Sequence, residues 1–375
     1  MRKILFMTDW YSPGFRGGGP IRSLQNLVDQ LYNSFQIFIL TKDTDFRSEI
    51  PYSNIDSDVR IDRGNYEITY LSKKNLTFGV LKRDIEELSP DFIYLNSMYS
   101  LNFTITPLII HRFFKNSYKV ILASRGMLQE GALRNKNFKK KLFLFLTKKI
   151  GLYKNIRFHA TDLQEKLDII KIFGPNTDIH ICANIVKSPM KGYPVRKSVI
   201  LKKFCYISLI TIKKNLLFIL DILRNIENKF ILDIYGTIKD SNYWNECQDI
   251  IQKSLSDKVF YKGELQNDLV PGKLLEYHFF LLPTLGENFG HAIYEALSNG
   301  IPVIIGDRTP WKGLEKDKAG WDISLDNPGK FKDIIKKCIE MNETEYKQWS
   351  KGAHQYAVRY AEENNSIDPY LKLFS

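Results

Sequence analysis

Short runs of β-branched and aromatic residues alternate with segments of helical period throughout this 375-residue chain. Strands joined by helices pair in parallel, because a crossover helix returns the chain to the same end of the sheet. The alternation therefore predicts parallel sheets covered by helices. The first series of strands reads KILFMT, QIFILT, FIYLN, KVILAS, IRFHAT and DIHICA, with amphipathic stretches such as PIRSLQNLVDQLYN between them. A second series, FCYISL, FILDIYG, KVFYKG, FFLLPT and PVIIGD, follows the stretch KSPMKGYPVRKS, whose prolines and glycine mark a linker over residues 187–198. The reading is α/β, with two doubly wound domains over residues 1–190 and 198–355. A tail at 356–375 has no strand of its own and is expected to pack back on the first domain. Two such domains facing each other would form a cleft lined by the carboxyl ends of both sheets, where ligands of open α/β folds bind.

Composition narrows the classes of function. A hydrophobic share of 44% provides for large cores and excludes disorder. Cys182, Cys205, Cys247 and Cys338 show no paired spacing, so neither a zinc site nor a disulfide framework is expected. The chain passes from Met1 directly into ILFMTDWY and holds no run of eighteen apolar residues, which predicts a cytoplasmic protein without a membrane span. Its net charge of +12 favours a polyanionic neighbour. No fold signature for nucleic acid accompanies that charge. From Gly131 to Thr161 there are nine basic residues and no acidic one. Phe138, Leu142, Phe145, Leu146 and Tyr153 recur there near helical spacing, so a helix lying on an anionic membrane face is expected. The bland reading is a core-facing helix with solvated lysines.

The polar motifs fall just after strands. Behind FFLLPT the chain turns through Leu285-Gly286-Glu287-Asn288-Phe289-Gly290 into a helix starting near His291, with Glu287 in the turn and Glu295 about one helical turn in. Amides at a helix start attract anions, and carboxylates accept hydrogen bonds from sugar hydroxyls. Acids near a helix N-terminus also stabilise the helix by themselves. Behind the first strand, Gly17, Gly18 and Gly19 precede a helix opened by Pro20. Such glycines let backbone approach a diphosphate, although Arg22 breaks the dinucleotide fingerprint and the spacing is no P-loop. A flexible loop is the simpler account. Lys213 and Lys214 lie between a strand and a helix, placed either to neutralise phosphates or as plain surface.

With these motifs the chain resembles the family 4 retaining glycosyltransferases, which have the GT-B fold. The resemblance spans nearly the whole chain and rests on DWYSPGFRGGGPIRS, IYLNSMYS, SRGMLQEGALRNKNFKK, KKNL, DIYGTIKDSNYWNEC, KGEL and PTLGENFGHAIYEALSNGIPVIIGDRTPW. It implies transfer of a sugar from a nucleotide-diphosphate sugar, with retained configuration and no metal or other cofactor. The implied acceptor is a glycan carried on a polyprenyl diphosphate, in bacterial surface-polysaccharide synthesis at the inner membrane face. Carried over residue by residue, Glu287 contacts the donor sugar beside the amides of Asn288, Phe289 and Gly290, and Glu295 holds the ribose. Lys214 binds the diphosphate, and the loop at Gly18 and Gly19 closes over the phosphates.

Two positions depart from the family pattern. Leu209 stands where a second diphosphate ligand, an arginine, is found, and Arg16, Arg125 or Lys213 are candidate replacements. Arg125 stands where many members present a histidine to the sugar, so no catalytic histidine is carried over. Two rival readings compete. One is a metal-dependent transferase using a D-x-D pair, Asp43 with Asp45 or Asp56 with Asp58; the other is a non-catalytic binding subunit, motivated by Leu209.

Overall fold

The computed structural model describes residues 1–114, 117–129, 137–189 and 201–375, without the side chains of Asn137, Phe138, Lys139 and Lys141. The expected linker lies outside the described residues from position 190 onward. The chain forms two units, Met1–Val186 with Asn364–Ser375, and Lys187–Glu363.

The first unit is built on β1 (Lys3–Met7), β2 (Gln36–Lys42), β3 (Arg60–Asp62), β4 (Glu67–Leu71), β5 (Phe92–Leu95), β6 (Lys119–Ala123), β7 (Arg157–Ala160) and β8 (Ile179–Ile181). Their order across the sheet is β3-β4-β2-β1-β5-β6-β7-β8, and only β3 runs antiparallel to its neighbour. The strands read as continuous apolar runs because helices cover both faces. Leu5, Met7, Ile93, Leu95, Val120 and Leu122 enter the core on one face, while Ile4, Phe6, Phe92, Tyr94 and Ile121 enter the other. The winding reverses between β1 and β5, which leaves a crevice at their carboxyl ends. The C-terminal helix Asp368–Leu373 belongs to this unit: the Phe374 ring meets those of Phe6, Phe35, Phe92 and Tyr94, and the Tyr370 hydroxyl donates to the Ala183 carbonyl at 2.9 Å.

The second unit holds β9 (Lys202–Ile207), β10 (Phe230–Tyr235), β11 (Val259–Tyr261), β12 (Phe279–Leu282), β13 (Val303–Gly306) and β14 (Gly320–Ile323). All are parallel, in the order β11-β10-β9-β12-β13-β14, and the winding reverses between β9 and β12. The long helix Glu343–Asn364 closes the unit, so residues 356–363, which the sequence reading gave to the tail, are the end of this helix.

Three strands escaped the sequence reading. β3 is a three-residue edge strand and β4 sits between it and β2, where turn residues crowd the pattern. β14 opens on a glycine that reads as a loop. A Cβ at Gly320 would lie 2.1 Å from the Val303 carbonyl oxygen, so the close pairing with β13 needs that glycine.

Candidate functional site

In the second unit the two loops that leave β9 and β12 flank the switch point, and each carries one of the expected charges. After β9 the chain makes a single 3₁₀ turn, Ile212–Lys214, before the helix Leu216–Leu223. The Lys214 N–H donates to the Thr211 carbonyl and its carbonyl accepts from the buried Tyr206 hydroxyl, which fixes the backbone from which the side chain projects. Asn215, in the left-handed region, offers that helix no side-chain cap; the Tyr243 hydroxyl instead accepts from the Leu217 N–H at 2.9 Å. After β12, Leu285 N donates to the Lys213 carbonyl at 2.8 Å and Glu287 N to the Arg308 carbonyl at 3.0 Å. The loop carrying Glu287 is thus tied to loops on both sides by backbone bonds. Lys214 Nζ and Glu287 Oε1 meet at 2.5 Å, with the lysine side chain 19% and the glutamate 9% exposed. The structure therefore brings together the residue expected at the donor sugar and the one expected at the diphosphate.

Gly290 takes φ 85° and caps the helix His291–Ser298, which no side chain caps. A Cβ there would lie 2.9 Å from Ile293 Cδ1, so both the conformation and the space select glycine. Phe289 is buried, and its ring packs against His291, Tyr294, Trp311 and Tyr360. Asn288 is half-buried in the turn, and Glu295 lies one turn into the helix, half-buried, with its carbonyl accepting from Asn299. Leu209 is half-buried at the start of the loop that carries Lys214, followed by Ile210, whose N–H is held by the Thr237 carbonyl.

In the first unit the loop after β1 is held by the segment that follows β2. Asp45 Oδ2 accepts from Phe15 N at 2.9 Å and Arg16 N at 3.2 Å, while Oδ1 accepts from its neighbour Phe46 N. Asp43 accepts from the Ser57 hydroxyl, and Asp58 from the N–H and hydroxyl of Ser72. Three of the four carboxylates considered for a D-x-D pair, Asp43, Asp45 and Asp58, are thus anchors of loops. Among the described residues, no group of three or more His, Cys, Asp or Glu stands together as a metal site. Gly18, at φ 75°, caps the helix Gly19–Leu31 without a side-chain bond, and Gly19 is the first helical residue, one position earlier than expected.

Arg125 has a different setting from the one expected of a ligand contact. Its Nε donates to Asn96 Oδ1 at 2.8 Å, its Nη1 to Asn184 Oδ1 at 2.9 Å and its Nη2 to the Tyr94 hydroxyl at 2.9 Å. The Tyr94 hydroxyl meets His159 Nδ1 at 2.6 Å, and His159 Nε2 meets the Cys182 carbonyl at 2.9 Å. A carbonyl only accepts, so the His159 proton sits on Nε2 and Nδ1 accepts from Tyr94. Burial and the nearby Arg125 charge lower the His159 pKa to about 4, which keeps the ring neutral. Beside this chain, Glu165 is buried and accepts four hydrogen bonds, from the Ser124 hydroxyl and Gly126 N at 2.6 Å each, and from Thr161 N and its hydroxyl at 2.8 and 2.7 Å. Burial alone would raise its pKa, yet those donors hold the carboxyl below its ordinary value. The network joins the carboxyl ends of four adjacent strands. None of Tyr94, His159 and Glu165 was singled out in the sequence; the one available signal was Asp162 three residues before Glu165, a capping-box spacing, and Asp162 does accept from Glu165 N.

The helix Asn137–Lys149 shows both faces expected of the basic segment. Leu144 and Thr147 are buried, whereas Leu142, Phe145, Leu146 and the following Ile150 are 44–62% exposed beside the exposed Lys149. Tyr153, expected on the same stripe, packs instead against Phe158 and Phe173 in the core. Arg134 and the side chains of Phe138, Lys139 and Lys141 lie outside the described residues. Among the described residues no helix is long and apolar enough to cross a membrane.

Residues 197–356 match the family model of glycosyl transferases group 1. No curated protein matches the chain. Among solved structures, the chain is similar to sucrose-phosphate synthase from Thermosynechococcus elongatus, at TM-score 0.74 and 13% identity over 100% of this chain and 97% of that one. It is similar to Anabaena HepE in complex with UDP-glucose, at TM-score 0.72 and 14% identity over 100% and 98%. A third likeness is to WaaG, a glycosyltransferase involved in lipopolysaccharide biosynthesis, at TM-score 0.63 and 13% identity over 98% of each chain. The fold is GT-B, with two Rossmann-like units.

Proposed function

We propose that this protein is a retaining glycosyltransferase of the family 4 type, moving a sugar from a nucleotide-diphosphate sugar to a glycan acceptor. The observation that carries the reading is the Lys214–Glu287 pair at the β9/β12 switch point, in the unit that matches the glycosyl transferases group 1 model. HepE, similar in fold, holds UDP-glucose. In the proposed chemistry Lys214 lies against the donor diphosphate and Glu287 accepts hydrogen bonds from sugar hydroxyls. The Asn288–Gly290 amides and the uncapped start of the helix His291–Ser298 face the phosphate side, and Glu295 holds the ribose. The bond from the anomeric carbon to the phosphate oxygen breaks as the acceptor oxygen bonds on the same face, and the departing diphosphate takes the acceptor proton. Electrostatic stabilisation of that diphosphate by Lys214 and the helix start supplies most of the catalysis, so neither a dedicated base nor a metal is required. Gly18 and the helix start behind it offer a second set of backbone amides to a phosphate-bearing substrate. Arg125, with each of its three nitrogens already donating, acts in this reading by shaping its loop and by its charge.

The test is a panel of nucleotide sugars screened for thermal stabilisation, followed by transfer assays in excess chelator. A ligand at a hundred times its dissociation constant adds about 2.7 kcal/mol. One donor should raise the unfolding midpoint, turnover should survive chelation, and the product should keep the anomeric configuration of the donor. Activity lost in chelator and restored by manganese would overturn the metal-free part of the proposal, and a panel without a hit would overturn the whole.

The acceptor is proposed to be lipid-diphosphate-linked and used at the cytoplasmic face of a bacterial membrane, for a surface polysaccharide. The exposed Leu142, Phe145 and Leu146 stripe, set among lysines, supports a membrane-surface contact. Attraction to an anionic leaflet amounts to about 1 kcal/mol per basic residue near the surface. Liposome flotation should require anionic lipid, fall with salt, and weaken both when Lys139, Lys140 and Lys141 become glutamine and in Phe145→Ser. Indifference to anionic liposomes at low salt would remove the membrane contact and leave the transferase intact.

A further inference from the structure

The loop that carries Glu287 is held at one more point, and by a side chain. Trp311 follows β13, is 2% exposed, and its indole Nε1–H donates to the Phe289 carbonyl at 2.6 Å. The ring is itself fixed. It lies between Phe289 at 5.1 Å, Tyr294 at 5.9 Å and Tyr360 at 4.8 Å between centroids. Its backbone N–H is held by the Thr309 hydroxyl at 3.3 Å, in the same segment whose Arg308 carbonyl accepts from Glu287 N. A Cβ on Gly290 would come within 3.4 Å of Trp311 Nε1, so the indole and the left-handed turn fit against each other.

Peptide planarity gives this contact its consequence. The Phe289 carbonyl and the Gly290 N–H belong to one trans peptide and point in opposite directions. An indole that draws the carbonyl inward therefore aims the Gly290 N–H outward, away from the aromatic cluster. We propose that Trp311 is a positioning residue: by holding the Phe289 carbonyl it sets the peptide that presents the Gly290 amide to the departing diphosphate, and so tunes the rate of sugar transfer. This inference rests on the donor-site reading of the loop. Trp311 touches no substrate. Its part is to keep a backbone dipole pointed where charge develops, which counts more in the transition state than in the bound nucleotide.

Trp311→Phe keeps an aromatic ring in the cluster and deletes the donor. With wild-type protein and the donor found by the panel, the variant should lower kcat at least tenfold, with its thermal midpoint close to wild type and its dissociation constant for the nucleoside diphosphate within threefold. A variant with wild-type kcat overturns the inference, and so does one whose nucleoside-diphosphate affinity falls as far as its kcat. Wild-type protein that binds no nucleotide sugar overturns the donor-site reading and this inference with it, whereas normal wild-type turnover beside an unimpaired variant overturns the inference alone. Should Trp311→Phe not fold, the wild-type indole N–H signal decides. The chain has five tryptophans, so that signal is assigned by elimination with single phenylalanine variants of the other four. It should shift when nucleotide sugar saturates the protein; a signal that stays in place overturns the proposal.

Discussion

The carboxyl ends of the two sheets are furnished in opposite ways. In the first unit the polar side chains at the strand ends satisfy one another: Arg125 donates to Asn96, Asn184 and Tyr94, Tyr94 to His159, and Glu165 accepts four bonds. In the second unit the loops are held chiefly by backbone carbonyls, those of Lys213 and Arg308, and by the Trp311 indole. Among the described residues the charged ends of Lys214 and Glu287 are held by each other, and both remain partly exposed. The difference teaches where rigidity comes from at each place. Side chains that lock a scaffold are consumed by it, while a scaffold locked through its backbone leaves side chains available to a ligand.

The comparison breaks most sharply at Glu165. Replacing it by alanine leaves four donors without their acceptor in a buried place, which costs about 3–5 kcal/mol and lowers the unfolding midpoint by roughly 10 °C. Calorimetry on the single variant measures it. Glu287→Gln should do the reverse, lowering turnover by about 10²–10³-fold with little change in midpoint, since the amide oxygen still accepts from Lys214 and that lysine is partly solvated. Nucleoside-diphosphate binding should be largely retained by Glu287→Gln and weakened by Glu295→Ala. If Glu165→Ala unfolds no earlier than wild type, or Glu287→Gln loses stability and activity together, the two regions do not differ as described.

Acid should act first on the first unit. His159 titrates near 6.5 when unfolded and near 4 when folded, so the unfolded chain binds the extra proton between those values. Its stabilising effect is complete above pH 6.5 and is lost as the pH falls toward 4, on the order of 3 kcal/mol. Glu165, held below its ordinary value, adds a further loss below about pH 4.5. Denaturant midpoints between pH 7.5 and 4.5 should fall, and His159→Gln should flatten the part above pH 5. An unchanged slope in that variant would assign the acid sensitivity to other groups.

Much of the second region was legible because its chemistry is local in sequence. Glu287, Asn288, Phe289, Gly290 and Glu295 lie within nine consecutive residues, and Lys214 stands at one strand-to-helix turn. The first region was opaque because Tyr94, Arg125, His159 and Asn184 come from the ends of four different strands, and Glu165 from the helix after β7, and they meet only after the sheet forms. For the same reason the sequence does not reveal that Arg125, expected as a ligand contact, donates to Asn96, Asn184 and Tyr94, since a charged residue behind a strand looks identical in sequence whatever it faces. The eleven strands read from apolar runs are present, since burial on both faces writes itself into composition, while β3 and β14 carry no such run and the short buried run of β4, Ile68 to Leu71, was passed over. Trp311 gave no functional signal, because an indole that serves through one N–H cannot be told from core by its neighbours in sequence.

The smallest expected effect sharpens the comparison at Leu209. The resemblance predicts an arginine there, a second cation on the loop that carries Lys214, and the structure shows an apolar side chain, half-buried, on backbone held by the Tyr235 and Thr237 carbonyls on either side. Because those bonds involve only backbone, Leu209→Arg should leave the loop in place and add a guanidinium that reaches water or ligand. One charge-assisted phosphate contact amounts to roughly 1.5–3 kcal/mol, and flexibility of the long side chain offsets part of it. Donor affinity should therefore rise by about tenfold, with kcat changed less, as titration calorimetry and initial rates would measure. The contact should also weaken with salt more than the wild-type interaction does. Unchanged affinity would mean that the diphosphate is already neutralised by another basic group, with Lys213, one residue from Lys214, the first to substitute; Lys213→Ala should then cost the affinity that Leu209→Arg failed to add.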